Sequence, residues 1–176
     1  DISTAFLHAF MPDGETFLVW PPREYYPSGD ILWKLKRALY GLRNSPRLWQ
    51  DHFAQVMLTL GFSRLKADPN LYVKEKERLY VLCYVDDLLV VGPEQAASTF
   101  MKELGQHVLL KDTGTLSERQ SLHFLGRLIS RHSDSITLSM GDSYIANMLA
   151  ALSLTTCKAS STPGSDVFKK ELEEND

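Results

Sequence analysis

The sequence predicts an α+β fold, an antiparallel sheet with helices packed on one face. Strand-like and helix-like segments follow one another without the regular βαβ alternation of a doubly wound sheet. The stretch YVDDLLVVG, Tyr84 to Gly92, lies between two apolar runs, LYVLC (Leu79 to Cys83) and LLVV (Leu88 to Val91), that read as the arms of a hairpin. With 176 residues, 44% of them hydrophobic and 23% charged, the chain is long enough for one sizeable core and a small appendage.

The elements follow in order. Thr16 to Trp20 is a short strand, ended by PPREYYPSGD, whose prolines cannot continue it. Ile31 to Leu35 is a second strand. The clearest helix opens at Ser45-Pro46, an N-cap residue followed by proline in the first turn. Trp49, Phe53, Val56, Met57 and Leu60 recur at helical steps along it, and Gly61 stands where a terminating glycine belongs. Leu71 to Val73 and Leu79 to Val85 are strands, the latter pairing across Asp86-Asp87 with Leu88 to Val91. Pro93-Glu94 opens a second helix through Phe100, Met101 and Leu104, closed by Gly105. Leu122 to Ile129 and Ser135 to Met140 form an antiparallel pair, and a third helix carries Tyr144, Ile145, Met148, Leu149 and Leu152. The tail from residue 164 is polar and acidic and is expected to be poorly ordered.

Charge is unevenly spread. The formal net charge of -3 argues against a whole-surface attraction to nucleic acid, yet from Ile31 to Trp49 the charged residues are Lys34, Lys36, Arg37, Arg43 and Arg47, with no acid among them. Interleaved with Trp33, Tyr40 and Trp49, they fit a surface that tracks a phosphate backbone. Trp49 itself belongs to the apolar helix stripe and is expected in the core. Cys83 and Cys157 have no metal-ligand spacing and read as reduced core or near-core residues. The five histidines show no paired spacing either. No apolar run is long enough to span a bilayer, so no membrane partner is expected.

The adjacent aspartates need an explanation. Asp-Asp is a poor hairpin turn, because the favoured turns need glycine or asparagine at positive φ. Two like charges beside a buried sheet also repel, a penalty that a divalent cation would remove. Taken alone, a solvated turn is the commoner explanation.

The ordered set of motifs changes that balance. DISTAFLHA, WKLKRALYGLRNSPRLW, GFSRLKADPNLY, YVDDLLVVG, HFLGRLIS and SYIANML with CKASSTP resemble the reverse transcriptase domain of copia-type long-terminal-repeat retrotransposons, from Asp1 to about Pro163. The resemblance implies a right-hand polymerase palm in which Asp1, Asp86 and Asp87 are catalytic and bind two Mg²⁺ ions, with Mn²⁺ as a substitute. It implies an aromatic gate at Phe6 that rejects a 2′-hydroxyl, and a nucleotide pocket formed by Tyr40 and Gly41 with Arg43. Lys34, Lys36, Arg37 and Arg47 would contact nucleic acid, and Phe124, Leu125 and Gly126 would form a hairpin that steadies the primer end. The implied partners are an RNA or DNA template with its primer, dNTPs, and the RNase H and integrase regions of a parent polyprotein. The implied location is a cytoplasmic virus-like particle, with the nucleus as a second compartment.

The chain opens on DISTAFL without methionine, and in the family the fingers precede the first aspartate. The expectation is therefore a truncated reverse transcriptase: palm, partial fingers and the start of the thumb side over residues 1–163, then the tail over 164–176. Such a piece is expected to polymerise weakly or not at all by itself. The competing expectation is an inactive or repurposed retrotransposon remnant that at most binds nucleic acid.

Overall fold

The computed structural model describes residues 1–118 and 120–158. The chain divides into two compact units, Asp1–Thr115 and the residues from Leu116 onward. Both are built from antiparallel strands and helices, as an α+β fold requires.

In the first unit a two-stranded ribbon pairs β1 (Leu18–Val19) with β2 (Trp33–Lys34). Helix α1 (Ser45–Thr59) leads into a four-stranded meander of β3 (Ser63–Arg64), β4 (Leu71–Lys74), β5 (Leu79–Tyr84) and β6 (Asp87–Val91), followed by α2 (Glu94–Leu104). The alternation along β5 decides which face is covered. Leu79, Val81 and Cys83 are buried, whereas Tyr80 and Tyr84 are exposed. The buried set joins Trp49, Phe53, Val56 and Met57 of α1 and Phe100 and Leu104 of α2 in one cluster, so both helices cover the same face. Edge contacts lock it: Phe53 meets Tyr72 at 5.5 Å and Phe62 meets Phe100 at 4.8 Å between ring centroids. Each fully buried large side chain contributes roughly 1.5–3 kcal/mol relative to exposure.

The α1 boundaries differ from expectation by one residue at the start. Asn44, not Ser45, is the N-cap, and its side chain makes no capping bond. Ser45 is fully buried and donates its hydroxyl to the Leu39 carbonyl at 2.6 Å, tying the preceding loop to the helix. At the other end Gly61 adopts φ +83°, Phe62 N–H reaches the Met57 carbonyl at 2.9 Å and Gly61 N–H reaches that of Leu58 at 3.0 Å. This is a Schellman ending, and it delivers Phe62 into the core.

The second unit holds β7 (Ser121–Phe124), β8 (Arg127–Arg131), β9 (Ile136–Met140) and α3 (Asp142–Ala151). The run read from apolar content as one strand over Leu122 to Ile129 is two, folded back at Leu125 and Gly126 (φ +48° and +72°), where the family resemblance had implied a hairpin. Two successive positive values are those of a type I′ turn, which breaks a run that apolar content alone reads as continuous. On β9 and α3, Ile136, Leu138, Tyr144, Ile145 and Met148 are exposed rather than core, as is Leu152 just past the helix. Cys157 is exposed too, against the core or near-core expectation, because it follows α3 rather than standing on a packed element. The expected tail over 164–176 lies outside the described residues, as does the end of the CKASSTP segment. Among the described residues no helix is long and apolar enough to cross a membrane.

Candidate active site

The β5–β6 hairpin turns on Val85 and Asp86, not on Asp86 and Asp87. Asp87 is the first residue of β6 and pairs with Tyr84. Val85 takes φ +58° while Asp86 keeps a negative value, so positive φ falls on the first central position alone, as in a type II′ turn. Glycine normally fills that position. A β-branched residue there is an outlier, and such conformations cost on the order of 1–3 kcal/mol.

Donors from elsewhere hold both peptide carbonyls of this turn. The indole Nε1–H of Trp49, buried to 1% exposure in α1, donates to the Val85 carbonyl at 2.6 Å. The Cys83 thiol approaches the same oxygen at 3.6 Å. Ile2 N–H donates to the Asp86 carbonyl at 2.7 Å. That last bond brings the Asp1 segment to the turn.

A neighbouring segment aims it. Ser3 N–H donates to the Leu109 carbonyl at 2.8 Å, Lys111 N–H to the Asp1 carbonyl at 2.9 Å and the Asp1 nitrogen to the Lys111 carbonyl at 3.1 Å. Ile2 thus bridges to Leu110 on one side and to Asp86 on the other, with its side chain fully buried. His8 braces the same place: its Nε2 lies 3.2 Å from the Ser3 carbonyl oxygen and 3.4 Å from the Leu109 nitrogen.

The expected nucleotide-pocket residues also meet. Phe6 lies on the short 3₁₀ turn Ala5–His8, and its ring stands 4.6 Å from that of Tyr40. Hydrogen bonds from Met11 N–H to the Lys36 carbonyl (3.1 Å) and from Ala38 N–H to the Ala9 carbonyl (2.9 Å) lay the basic segment beside residues 9–11 and so bring Tyr40 to Phe6. Gly41 adopts φ +95°, which accounts for the glycine, and a Cβ there would meet nothing within 4 Å.

The basic residues fare unequally. Lys34, Lys36 and Arg43 are exposed. Arg37 donates to the His8 carbonyl at 2.5 Å and covers the Phe10 ring at 3.7 Å, so its charge is partly committed within the fold. Arg47 stands 3.7 Å from Asp51 one helical turn on, an exposed pair of little energetic weight. Phe124, Leu125 and Gly126 form the tight turn of the second unit.

Burial shifts the ionisation of Tyr72, which is raised to about 12, and of two other side chains. The Cys83 thiol is pushed up to about 12 by burial, and the negative charge of Asp86 and then Asp87 adds to that shift. His52 is lowered by burial first, then by the positive charge of His8, Arg37 and His107.

Among the described residues no three side chains of His, Cys, Asp or Glu are gathered as a ready-made metal cage. Magnesium does not need one, since it is held by one or two carboxylates together with water and substrate phosphates. Asp86 and Asp87 are adjacent and Ile2 ties the Asp1 segment to the Asp86 carbonyl, but the three carboxylates expected to converge are not gathered into one cluster.

The comparisons with known proteins now bear on this geometry. The family model described as reverse transcriptase (RNA-dependent DNA polymerase) matches residues 1–166. The chain belongs to the reverse transcriptase family. It is 34% identical over 170 residues to a transposon Ty5-1 protein of Saccharomyces cerevisiae, covering 93% of this chain and 52% of that protein. It is 31% identical over 169 residues to the retrovirus-related Pol polyprotein from transposon RE2 of Arabidopsis thaliana, covering 93% and 11%. With the corresponding polyprotein from transposon TNT 1-94 of Nicotiana tabacum it shares 30% over 170 residues, covering 93% and 12%. The expected copia-type retrotransposon reverse transcriptase domain is thereby borne out. The chain spans about half the length of the first relative and about a tenth of the polyproteins.

Sequence reasoning did not find the roles of Trp49, His8 and the Leu109–Lys111 segment. Only Trp49 offered a signal, because a buried indole N–H nearly always finds an acceptor.

Proposed function

We propose that this chain is the palm of an RNA-directed DNA polymerase that extends a primer 3′-hydroxyl with dNTPs on an RNA or DNA template. Among members of this family, the observation that carries the reading here is the 2.7 Å bond from Ile2 N–H to the Asp86 carbonyl, which joins the Asp1 segment to the Val85-Asp86 turn that precedes Asp87. Asp1, Asp86 and Asp87 present hard carboxylate oxygens for two Mg²⁺ ions, or Mn²⁺ in their stead. When bound, such ions lower the barrier by activating the attacking hydroxyl and neutralising charge on the triphosphate and its leaving group.

The chain's own residues supply placement. Phe6, backed by Tyr40, forms an aromatic wall beneath the sugar that leaves no room for a 2′-hydroxyl. Gly41 keeps that pocket free of side chain, and Arg43 stands close enough in the sequence to serve the triphosphate. Exposed Lys34 and Lys36, with Arg37 and Arg47, attract the template and primer phosphates without regard to base. Phe124, Leu125 and Gly126 serve the primer side. The Arabidopsis and Nicotiana relatives are named Pol polyproteins, which supports a longer parent product; RNase H and integrase regions are the partners we propose within it.

Thermal unfolding with and without divalent metal tests the site. At ten times its dissociation constant, a ligand bound only by the folded chain contributes about 1.4 kcal/mol. For a chain of this size that raises the melting temperature by about 3–5 °C. Mg²⁺ or Mn²⁺ should give such a shift in the wild type and none in Asp86→Asn or Asp87→Asn. Equal melting with and without metal in all three would favour a remnant that has lost the site.

A further inference from the structure

We propose that Trp49 is a positioning residue for the catalytic turn, holding the Val85–Asp86 peptide in the orientation that presents Asp86 and Asp87 to metal; this rests on the polymerase reading given above. A type II′ turn and a type I′ turn differ by rotation of their central peptide, here the one whose carbonyl belongs to Val85. Nothing in the strand ladder fixes that oxygen, because turn carbonyls point away from the paired strands. The 2.6 Å bond from the indole N–H fixes it, with the Cys83 thiol a weaker donor to the same oxygen at 3.6 Å.

Three further observations make this more than a satisfied core tryptophan. Val85 is the residue held at φ +58°, an arrangement that persists only when its surroundings over-determine it. The indole ring is itself immobilised, 1% exposed and packed against Phe53 at 5.3 Å, His52 at 6.0 Å and His8 at 6.2 Å between ring centroids. The carbonyl of the next peptide, that of Asp86, is taken by Ile2 N–H, so the peptides on both sides of Asp86 are held from outside the hairpin. Loss of the indole N–H therefore frees Asp86 to leave its ligating orientation while the ring's packing remains.

The test is Mn²⁺ affinity of the full chain, read by electron paramagnetic resonance for the wild type, Asp86→Asn, Trp49→Phe and a chain in which 3-benzothienylalanine replaces Trp49. That last side chain keeps the indole's shape and exchanges the N–H for sulfur, so it serves if Trp49→Phe does not fold. The expected result is Mn²⁺ binding by the wild type, loss in Asp86→Asn, and weakening of about five- to tenfold in both Trp49 replacements, the size of one buried hydrogen bond. In primer extension by the native reading frame that carries this chain, both should lower kcat with little change in KM for dNTP. Undiminished Mn²⁺ affinity in folded Trp49 replacements overturns the positioning role and leaves the polymerase reading standing. A wild type that binds no Mn²⁺ overturns the reading and the inference together.

Discussion

Val85 carries a β-branched side chain at φ +58°, and the fold tolerates it because Trp49 and Ile2 hold the peptides on either side of Asp86. Glycine would take that conformation freely at some cost in chain entropy. Val85→Gly should therefore raise unfolding stability in urea by about 1 kcal/mol, the relieved strain less the entropy of a glycine, while reducing polymerase activity through a looser turn. His52 gives a pH dependence whose sign is fixed by its lowered affinity for protons in the fold. The unfolded chain takes up the proton near the ordinary 6.5 and the folded chain only at lower pH. The His52 contribution is thus fully present above that value and is lost as pH falls through the folded one. The urea midpoint should drop more between pH 7.5 and 5.5 in the wild type than in His52→Gln. The buried Cys83 thiol, raised to about 12, should resist iodoacetamide in the folded protein while exposed Cys157 is modified. At this scale the sequence singled out the aspartates but did not show that the turn falls on Val85 and Asp86, with Asp87 already on β6. Residue types show that two carboxylates are adjacent, whereas the φ of Val85 depends on donors 36 and 83 positions away, at Trp49 and Ile2.

Among the elements, α1 was the most legible, because its stripe from Trp49 to Met57 has a helical period and Gly61 marks its end. The N-cap was misassigned because Ser45 has a competing use, the bond to the Leu39 carbonyl, that no local pattern reveals. The β7–β8 hairpin was legible from the family resemblance but not from apolar content, which read one continuous strand, because Leu125 at φ +48° is an unusual turn residue. Gly92, between β6 and α2, was not singled out at all. A Cβ there would lie 2.7 Å from Leu79 Cδ1 and 2.8 Å from the Arg78 carbonyl oxygen, and the backbone contact cannot simply swing aside. Gly92→Ala should cost about 1–3 kcal/mol in denaturant unfolding, more than the same change at Gly41, where the added methyl meets nothing but φ is unfavourable.

For the whole molecule, the α+β class was legible from the irregular order of strand and helix patterns, and the family from ordered motifs rather than from any single one. The division after Thr115 was not, because it follows from which elements pack together and not from a change in composition. The basic segment from Ile31 to Trp49 was legible in the sequence despite a net charge of -3. If Lys34 and Lys36 contact phosphates, replacing both with alanine should weaken primer–template binding and flatten the plot of log affinity against log salt by roughly 1–2. An unchanged slope would assign them to a merely solvated face. The central claim, that Asp1, Asp86 and Asp87 form a polymerase site, meets its most direct test in primer extension. The assay uses poly(rA)·oligo(dT) with Mg²⁺ and the native reading frame that carries this chain, beside its Asp86→Asn variant. The account predicts template-dependent dTTP incorporation by the wild type and at least a hundredfold loss in the variant, in line with removal of a group that stabilises the transition state. Silence of the folded wild type, or incorporation undiminished by Asp86→Asn, would contradict it.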